Sequence, residues 1–487
     1  SEDLEIANVG ELKPGIFAKE NIQHLHIVGT MNTSDRSVTP MDLAMRRRFK
    51  FVRNEPFGGT DIDTHLSGLR KEDKECFLTL NKELLNLGAD YQIGHSYLFD
   101  LVENGKPKSE NERRDVWQYS ILPNVIDSLM MTDEFQNKEL LKSLNASIDE
   151  LKLNLSIPKP VGDRNAMLFV QNKNSSEDIN NPNTVVNLLK KHQNVVLEGV
   201  PGTGKTFLKD KVKEVWGEKE VEVKIMTFHP STSYEDFIGG LLPKDKDGEL
   251  IFDYRKGFLY KWAMKAVENS NKDYLLFIDE INRGNIPKIM GETLTLIEKS
   301  KRTEIIESDW DKSVQDAKWK ITLNNGEELI LPKNLYILAT LNTSDRSVIS
   351  MDSALRRRFA YYRMETLISE THRQRLLKEL KVETSALVEI SALLDKLIKV
   401  NHELLKLGRD GLLGHSYVFG FAQDKYANEN EFFQLTILPQ IADILNSTVP
   451  NGLETICKSL NKIIGSSTHE LYHDNEDIVF VKKKGGA

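Results

Sequence analysis

The chain carries one long pattern twice, and a chain that repeats itself has to be divided into modules before single residues are interpreted. TMNTSDRSVTPMDLAMRRRF at residues 30–49 returns as TLNTSDRSVISMDSALRRRF at 340–359, an offset of 310. LNKELLNLGADYQIGHSYLF from Leu80 returns as VNHELLKLGRDGLLGHSYVF from Val400, offset 320, and SILPNVIDSL from Ser120 returns as TILPQIADIL from Thr436, offset 316. The order is kept and only short insertions separate the copies. They are unequal, because a long stretch of further pattern precedes the second while the first begins close to Ser1. We therefore divide the chain into a half-module at 1–155, a polar Asn- and Ser-rich linker at 156–183, an α/β subdomain at 184–365 and a helical subdomain at 366–487.

At 487 residues the chain is about three times the usual domain size, in keeping with that division. Its 39% apolar and 28% charged residues are those of an ordinary soluble globular protein. Cys76 and Cys457 are the only cysteines, with no CxxC pair, so neither a disulfide framework nor a zinc site is expected and the chain reads as cytoplasmic. No apolar run approaches the roughly 18 residues of a membrane span. A net charge of −8 argues against a broad nucleic-acid surface and confines any DNA contact to a local basic channel.

Within the second module, Thr184–Lys191 predicts a short amphipathic helix opened by Asn183 or Thr184. Asn194–Leu197, Tyr274–Ile278 and Leu335–Leu338 are continuous apolar runs of strand length with helical patterns between them, which predicts a parallel α/β sheet. After Arg363 the spacing becomes helical, and residues 66–87 and 120–155 share that character.

A strand leading straight into GVPGTGKT predicts a phosphate-binding loop at Gly199, Val200, Pro201, Gly202, Thr203, Gly204, Lys205 and Thr206, with Phe207 opening the helix that follows. The glycines permit the turns that aim backbone N–H groups at phosphate oxygens. Lys205 supplies a point charge to the β and γ phosphates, Thr206 a hydroxyl to Mg2+, and the helix its positive end. YLLFIDE then ends a buried strand in two acids: Asp279 as a second Mg2+ contact and Glu280 as general base for the attacking water. On the next run Asn342 is placed to orient that water, and Asp345 and Arg346 either join the catalysis or pair with each other. Arg356, Arg357 and Arg358 either complement a helix terminus or supply an arginine finger to the site of an adjacent module.

These motifs, with FHPSTSYEDFIGG, YRKGFLYKWAMKA and LLFIDEINRGNIPKIMGE, resemble the McrB-type AAA+ motor subunits of McrBC modification-dependent restriction systems. The resemblance runs from about Asn194 to Tyr417, and the half-module repeats its later part. It implies an AAA+ P-loop NTPase fold with a helical lid, a ring that is usually hexameric with nucleotide sites between subunits, hydrolysis of GTP rather than ATP, DNA as the translocated partner, and a McrC nuclease subunit. It also implies that Asn342 is the sensor, that Arg357 or Arg358 is the finger, that Asn282 and Arg283 contact the adjacent site, and that His415 in GHSY contacts phosphate or base as the lid closes. MoxR-like AAA+ proteins, which remodel protein clients, share the DEIN motif and are the alternative; a regulatory scaffold with little turnover is a third reading.

The half-module has no second phosphate loop but retains Asn32, Asp35, Arg36, Arg46, Arg47, Arg48 and His95. Two expectations follow: that Arg47 or Arg48 serves a neighbouring site, and, favoured by the start at Ser1, that the intact protein is a tandem AAA+ chain whose upstream half precedes this sequence.

Overall fold

The computed structural model describes residues 54–130, 137–157, 171–172, 179–246, 249–343, 355, 358–382, 384–423, 428–446, 453–465, 469–474 and 477–482, with the single residues 28, 50 and 52. Asn32, Asp35, Arg36, Arg46, Arg47, Arg48, Asp345, Arg346, Arg356 and Arg357 lie outside the described residues.

Helices α1 (Lys71–Leu87), α2 (Glu110–Val116), α3 (Leu122–Met130) and α4 (Lys138–Asp149) enclose a core of their own. On α1 the buried residues Cys76, Phe77, Leu80 and Leu84 recur at three- and four-residue spacing, so one stripe of the helix faces inward. Ser109 caps α2 through the N–H of Glu112, whose carboxylate returns to the N–H of Ser109. Inside this body Arg113 reaches both oxygens of Asp73 at 2.7 and 2.8 Å, and Trp117 Nε1 donates to the same carboxylate at 2.8 Å. The buried charges are thereby compensated.

The α/β part begins with α5 (Pro182–His192), earlier than the expected start at Asn183 or Thr184. Asn181 accepts from the N–H of Asn183, and Pro182 fits the first turn, where its missing donor costs nothing. The expected linker is partly tied down: Gln171–Asn172 pair with Leu155–Ser156, and Asn180 exchanges two hydrogen bonds with the backbone of Glu365. Strands β1 (Asn194–Gly199), β2 (Val221–Thr227), β3 (Asp273–Asp279), β4 (Leu335–Asn342) and β5 (Ala360–Arg363) form one five-stranded sheet in the order β5-β1-β4-β3-β2. All neighbouring pairs are parallel. β1 is buried along its whole length, as a strand covered on both faces must be. Each of β1, β3 and β4 continues beyond its apolar run and so carries polar residues to the carboxyl edge of the sheet. Helices α6 (Lys205–Glu214) and α7 (Phe258–Glu268) pack on it, and a hairpin of Gly239–Lys246 with Glu249–Lys256 interrupts the chain between β2 and α7.

The last body contains α8 (Thr384–Leu404), α9 (Leu438–Asn446) and α10 (Leu453–Ile464). It is not wholly helical, as the sequence suggested: His469–Asp474 pairs antiparallel with Asp477–Lys482. Asn461 holds the N–H and C=O of Leu471, at 2.8 Å each, so that this leucine enters the helical core.

The sequence repeat is also a repeat of hydrogen bonds. Asn81 braces both backbone groups of Ile93, as Asn401 braces those of Leu413. Asn145 does for Ile157 what Asn461 does for Leu471. The N–H of Phe57 donates to His95 Nδ1 at 3.2 Å, as that of Leu367 donates to His415 Nδ1 at 3.2 Å. A single π-turn stands at Trp117–Ile121 in one body and at Phe433–Ile437 in the other. The first body rests on the α/β core. Lys191 Nζ donates to the carbonyl of Glu112 at 2.9 Å and pairs with Asp115 at 3.4 Å, while Tyr119 packs on the cluster that holds Tyr362 and Met364.

Candidate nucleotide site

The loop between β1 and α6 turns through left-handed backbone at Gly202 (φ 78°) and Gly204 (φ 77°), which side chains with a Cβ rarely adopt. Thr203 Oγ1 donates to the carbonyl of Val200 at 2.9 Å and closes the turn. Lys205 lies beneath it, buried, with Nζ 2.8 Å from the carbonyl oxygen of Gly199 and 2.9 Å from that of Val200. Burial, helped by the nearby Arg363 guanidinium and opposed by Asp279 and Glu280, pushes its pKa down to about 7. Thr206 follows in the first turn of α6, and the side chain of Phe207 is exposed.

β3 lies between β2 and β4 and delivers Asp279 and Glu280 to the same edge. Thr340, a residue the sequence reading did not single out, joins them: its hydroxyl donates to Asp279 Oδ1 at 2.5 Å and accepts from the N–H of Glu280 at 2.9 Å. Its place on β4 beside the end of β3 is visible only once the strands are paired. Glu280 itself sits in left-handed backbone, φ 53° and ψ 48°, a conformation that strands avoid and functional turns adopt. Its Oε2 pairs with Arg283 Nε at 2.8 Å and its Oε1 faces Asn342 Nδ2 at 3.4 Å. Asn282 donates to the carbonyl of Asn342 at 3.3 Å, and the N–H of Thr343 donates to that of Gly199 at 3.2 Å. The phosphate loop, both acids, Asn342 and Arg283 thus form one connected set.

The lid closes on this set through Gly414, His415, Ser416 and Tyr417. The N–H of Ser416 donates to the carbonyl of Gly202 at 2.9 Å. A Cβ on Gly414 would lie 2.6 Å from that same oxygen, so the approach needs glycine. Because His415 Nδ1 accepts from Leu367, its proton sits on Nε2, which is 3.5 Å from where a Cβ on Gly204 would be. Burial pulls the His415 pKa to about 4, so the imidazole is a neutral donor facing the loop. Pro201 lines a small cleft with Asp410, Leu412, Leu413, Tyr417, Gln440 and Ile444. Asp410 pairs there with Arg363 at 2.9 Å.

Arg358, one of the two residues expected as the finger, has a side chain only 9% exposed that pairs with Glu298 of the same module at 2.9 Å, while its carbonyl accepts from Asn194 at 3.0 Å. In the first body, His95 repeats the hydrogen bond of His415 and stacks on Phe57 at 3.5 Å. Gly94, the counterpart of Gly414, meets only Ser96 Oγ, at 3.9 Å among the described residues.

Thr206 and Asp279 carry the oxygen donors that the sequence reading assigned to Mg2+; among the described residues no group of three or more His, Cys, Asp or Glu gathers.

Residues 194–359 match the family model of the AAA domain of the dynein-related subfamily, and residues 73–127 match that of the McrB alpha-helical lid domain. The chain is 32% identical over 290 residues to the type IV methyl-directed restriction enzyme EcoKMcrB subunit of Escherichia coli (strain K12), across 58% of this chain and 60% of the relative. It is 29% identical over 199 residues to the type II restriction enzyme BsuMI component YdiS of Bacillus subtilis (strain 168), across 36% of this chain and 57% of the relative. The chain thus spans less than two thirds of the length of either. A solved structure of C. elegans PCH-2 aligns over 50% of this chain and 66% of its own at 14% identity with a TM-score of 0.25, too loose to add to the strand order. No described helix is long and apolar enough to cross a membrane.

Proposed function

We propose that this chain, whose residues 194–359 and 73–127 match the AAA-domain and McrB-lid family models, is an AAA+ protein of the McrB type and the nucleoside-triphosphatase motor of a restriction complex. It hydrolyses GTP in preference to ATP, between neighbouring subunits of a homo-oligomeric ring, and couples hydrolysis to DNA translocation for a separate McrC-like nuclease subunit. The observation that carries this reading is the meeting of Lys205, Asp279, Glu280 and Asn342 at one sheet edge under a lid that touches the phosphate loop.

The loop N–H groups and the positive end of α6 receive the phosphates. Lys205 exchanges its two loop carbonyls for phosphate oxygens and gains charge stabilisation that burial denies it in the free protein. Thr206 and Asp279 would hold Mg2+, which when bound would neutralise phosphate charge. Glu280 accepts the proton of the attacking water. Arg283 and Asn342 hold its two oxygens, so the carboxylate is aimed before substrate arrives. His415 Nε2 donates to a phosphate as the lid closes. Arg357 is the finger supplied to a neighbouring site, since Arg358 is engaged at home. Preference for guanine is carried over from the family resemblance alone, since the Asp410 carboxylate in the cleft beside Pro201 is already paired with Arg363.

The experiment is a side-by-side GTP and ATP turnover assay with and without DNA and a McrC-like nuclease. We expect GTP turnover that the nuclease stimulates and that Lys205→Ala abolishes. Turnover of ATP alone would sink the guanine assignment, and binding of neither nucleotide would sink the motor reading altogether.

A further inference from the structure

Arg302 is a buried guanidinium whose hydrogen-bond partners among the described residues are uncharged: the carbonyls of Ile297 at 3.2 Å and Leu335 at 3.3 Å, and Asn194 Oδ1 at 2.8 Å. A charge buried without a carboxylate is costly to the fold, so the groups it orders are informative. With its Oδ1 held by Arg302, Asn194, the first residue of β1, turns Nδ2 to the carbonyls of Ile297 at 2.7 Å and Arg358 at 3.0 Å.

Arg358 is fastened at two further points. Its guanidinium meets Glu298 Oε1 at 2.9 Å, and its N–H donates to the carbonyl of Leu355 at 2.9 Å. Phe359 and Ala360 behind it are buried where β5 begins. Glu298 is itself held: its Oε2 pairs with Lys301 at 3.0 Å, and the adjacent Lys299 donates through Nζ to the carbonyl of Lys191 on α5 at 2.7 Å. Residues 297–302 are thus tied to α5, β1 and β4, and the chemistry described above uses none of them.

We propose that Glu298, with Asn194 and Arg302 behind it, is a positioning residue for the arginine finger. It fastens Arg358, and through Arg358 the chain from which the covalently adjacent Arg357 serves a neighbouring nucleotide site. This rests on the finger and ring reading above and adds what aims the finger. A finger acts by standing ready where charge develops on the phosphates, and a loosely held chain would forfeit that readiness.

Glu298→Gln keeps the shape of the side chain and removes its charge. In the full chain it is expected to lower kcat for nucleotide hydrolysis about 10- to 100-fold, the usual loss for an orienting partner, with KM and assembled mass unchanged. Arg358→Gln, which removes the pair from its other side, is expected to cost the same, and the double variant no more than either alone. Glu298→Gln chains are then mixed with Glu280→Gln chains, whose own sites turn over little but whose arginine segment is intact. Turnover per Glu298→Gln chain is expected to rise severalfold, whereas a residue needed only for its own fold or its own site gains nothing from a neighbour. The proposal is overturned by no gain on mixing, by a Glu298→Gln chain as fast as wild type or faster, or by an Arg358→Gln loss about 10³-fold beyond that of Glu298→Gln, which would make Arg358 itself the finger. Arg357→Ala mixed with Glu280→Gln is the control: if that mixture gains and the Glu298→Gln mixture does not, the positioning alone fails, and if neither gains, the ring reading fails and the proposal with it.

Discussion

Glu280 combines a left-handed backbone with two side-chain partners, so its carboxylate is set by the fold and not by the substrate. Glu280→Gln should keep nucleotide binding and lower turnover by about 10²- to 10⁴-fold, the usual worth of a general base, in a stopped-time hydrolysis assay beside an equilibrium binding titration. Thr340→Val should cost about 10- to 100-fold in kcat with KM little changed, as expected when an orienting partner is lost and the reacting groups remain. His415 gives a pH signature. Its pKa falls from 6.5 unfolded to about 4 folded, so its neutral form stabilises the protein fully above about pH 6.5 and that stability is lost as pH drops towards 4. Thermal midpoints of wild type and His415→Gln should therefore converge between pH 6.5 and 4; a constant gap would remove the assignment. The phosphate loop, both acids and Asn342 were legible as residues because strand, glycine turn and helix follow one another in sequence. Thr340 was not, since its role comes from a neighbour 60 positions away across the sheet. The pairing of Arg358 with Glu298 was not legible either, because Glu298 belongs to a segment with no motif.

Among the elements, the β strands were readable from their apolar runs, but the runs ended before the strands did. β4 carries on from Leu338 to Asn342, and that extra length brings Thr340 and Asn342 to the site. The terminal hairpin escaped notice because only Asp477–Lys482 carries an apolar run, Ile478–Val481, while its partner His469–Asp474 is of mixed polarity. The lid turn meets the phosphate loop backbone to backbone at Gly414. Gly414→Ala should push it away and weaken nucleotide binding by about tenfold, roughly 1.4 kcal/mol, while the helices of the lid stay folded. Isothermal titration with circular dichroism as the fold control would decide; unchanged affinity would mean that the lid does not clamp the nucleotide.

For the molecule as a whole, the repeat made the division into bodies legible, and the amide braces at Asn81, Asn145, Asn401 and Asn461 give that division its physical basis. What the repeat did not announce is that the first body would lie on the second α/β core, because Lys191 and Asp115 are ordinary surface residues until folded. Asp115→Lys should detach that body while both folds persist. Limited proteolysis would then cut the segment between them sooner, and an unaltered cleavage pattern would show the contact to be incidental. The bond itself is a lysine 3.4 Å from a partly buried carboxylate, well inside the Debye length of about 8 Å at physiological salt, so added ions screen it only in part. Tyr119 adds an apolar contact that salt does not loosen, and the seam between the two bodies should therefore keep its register as ionic strength rises.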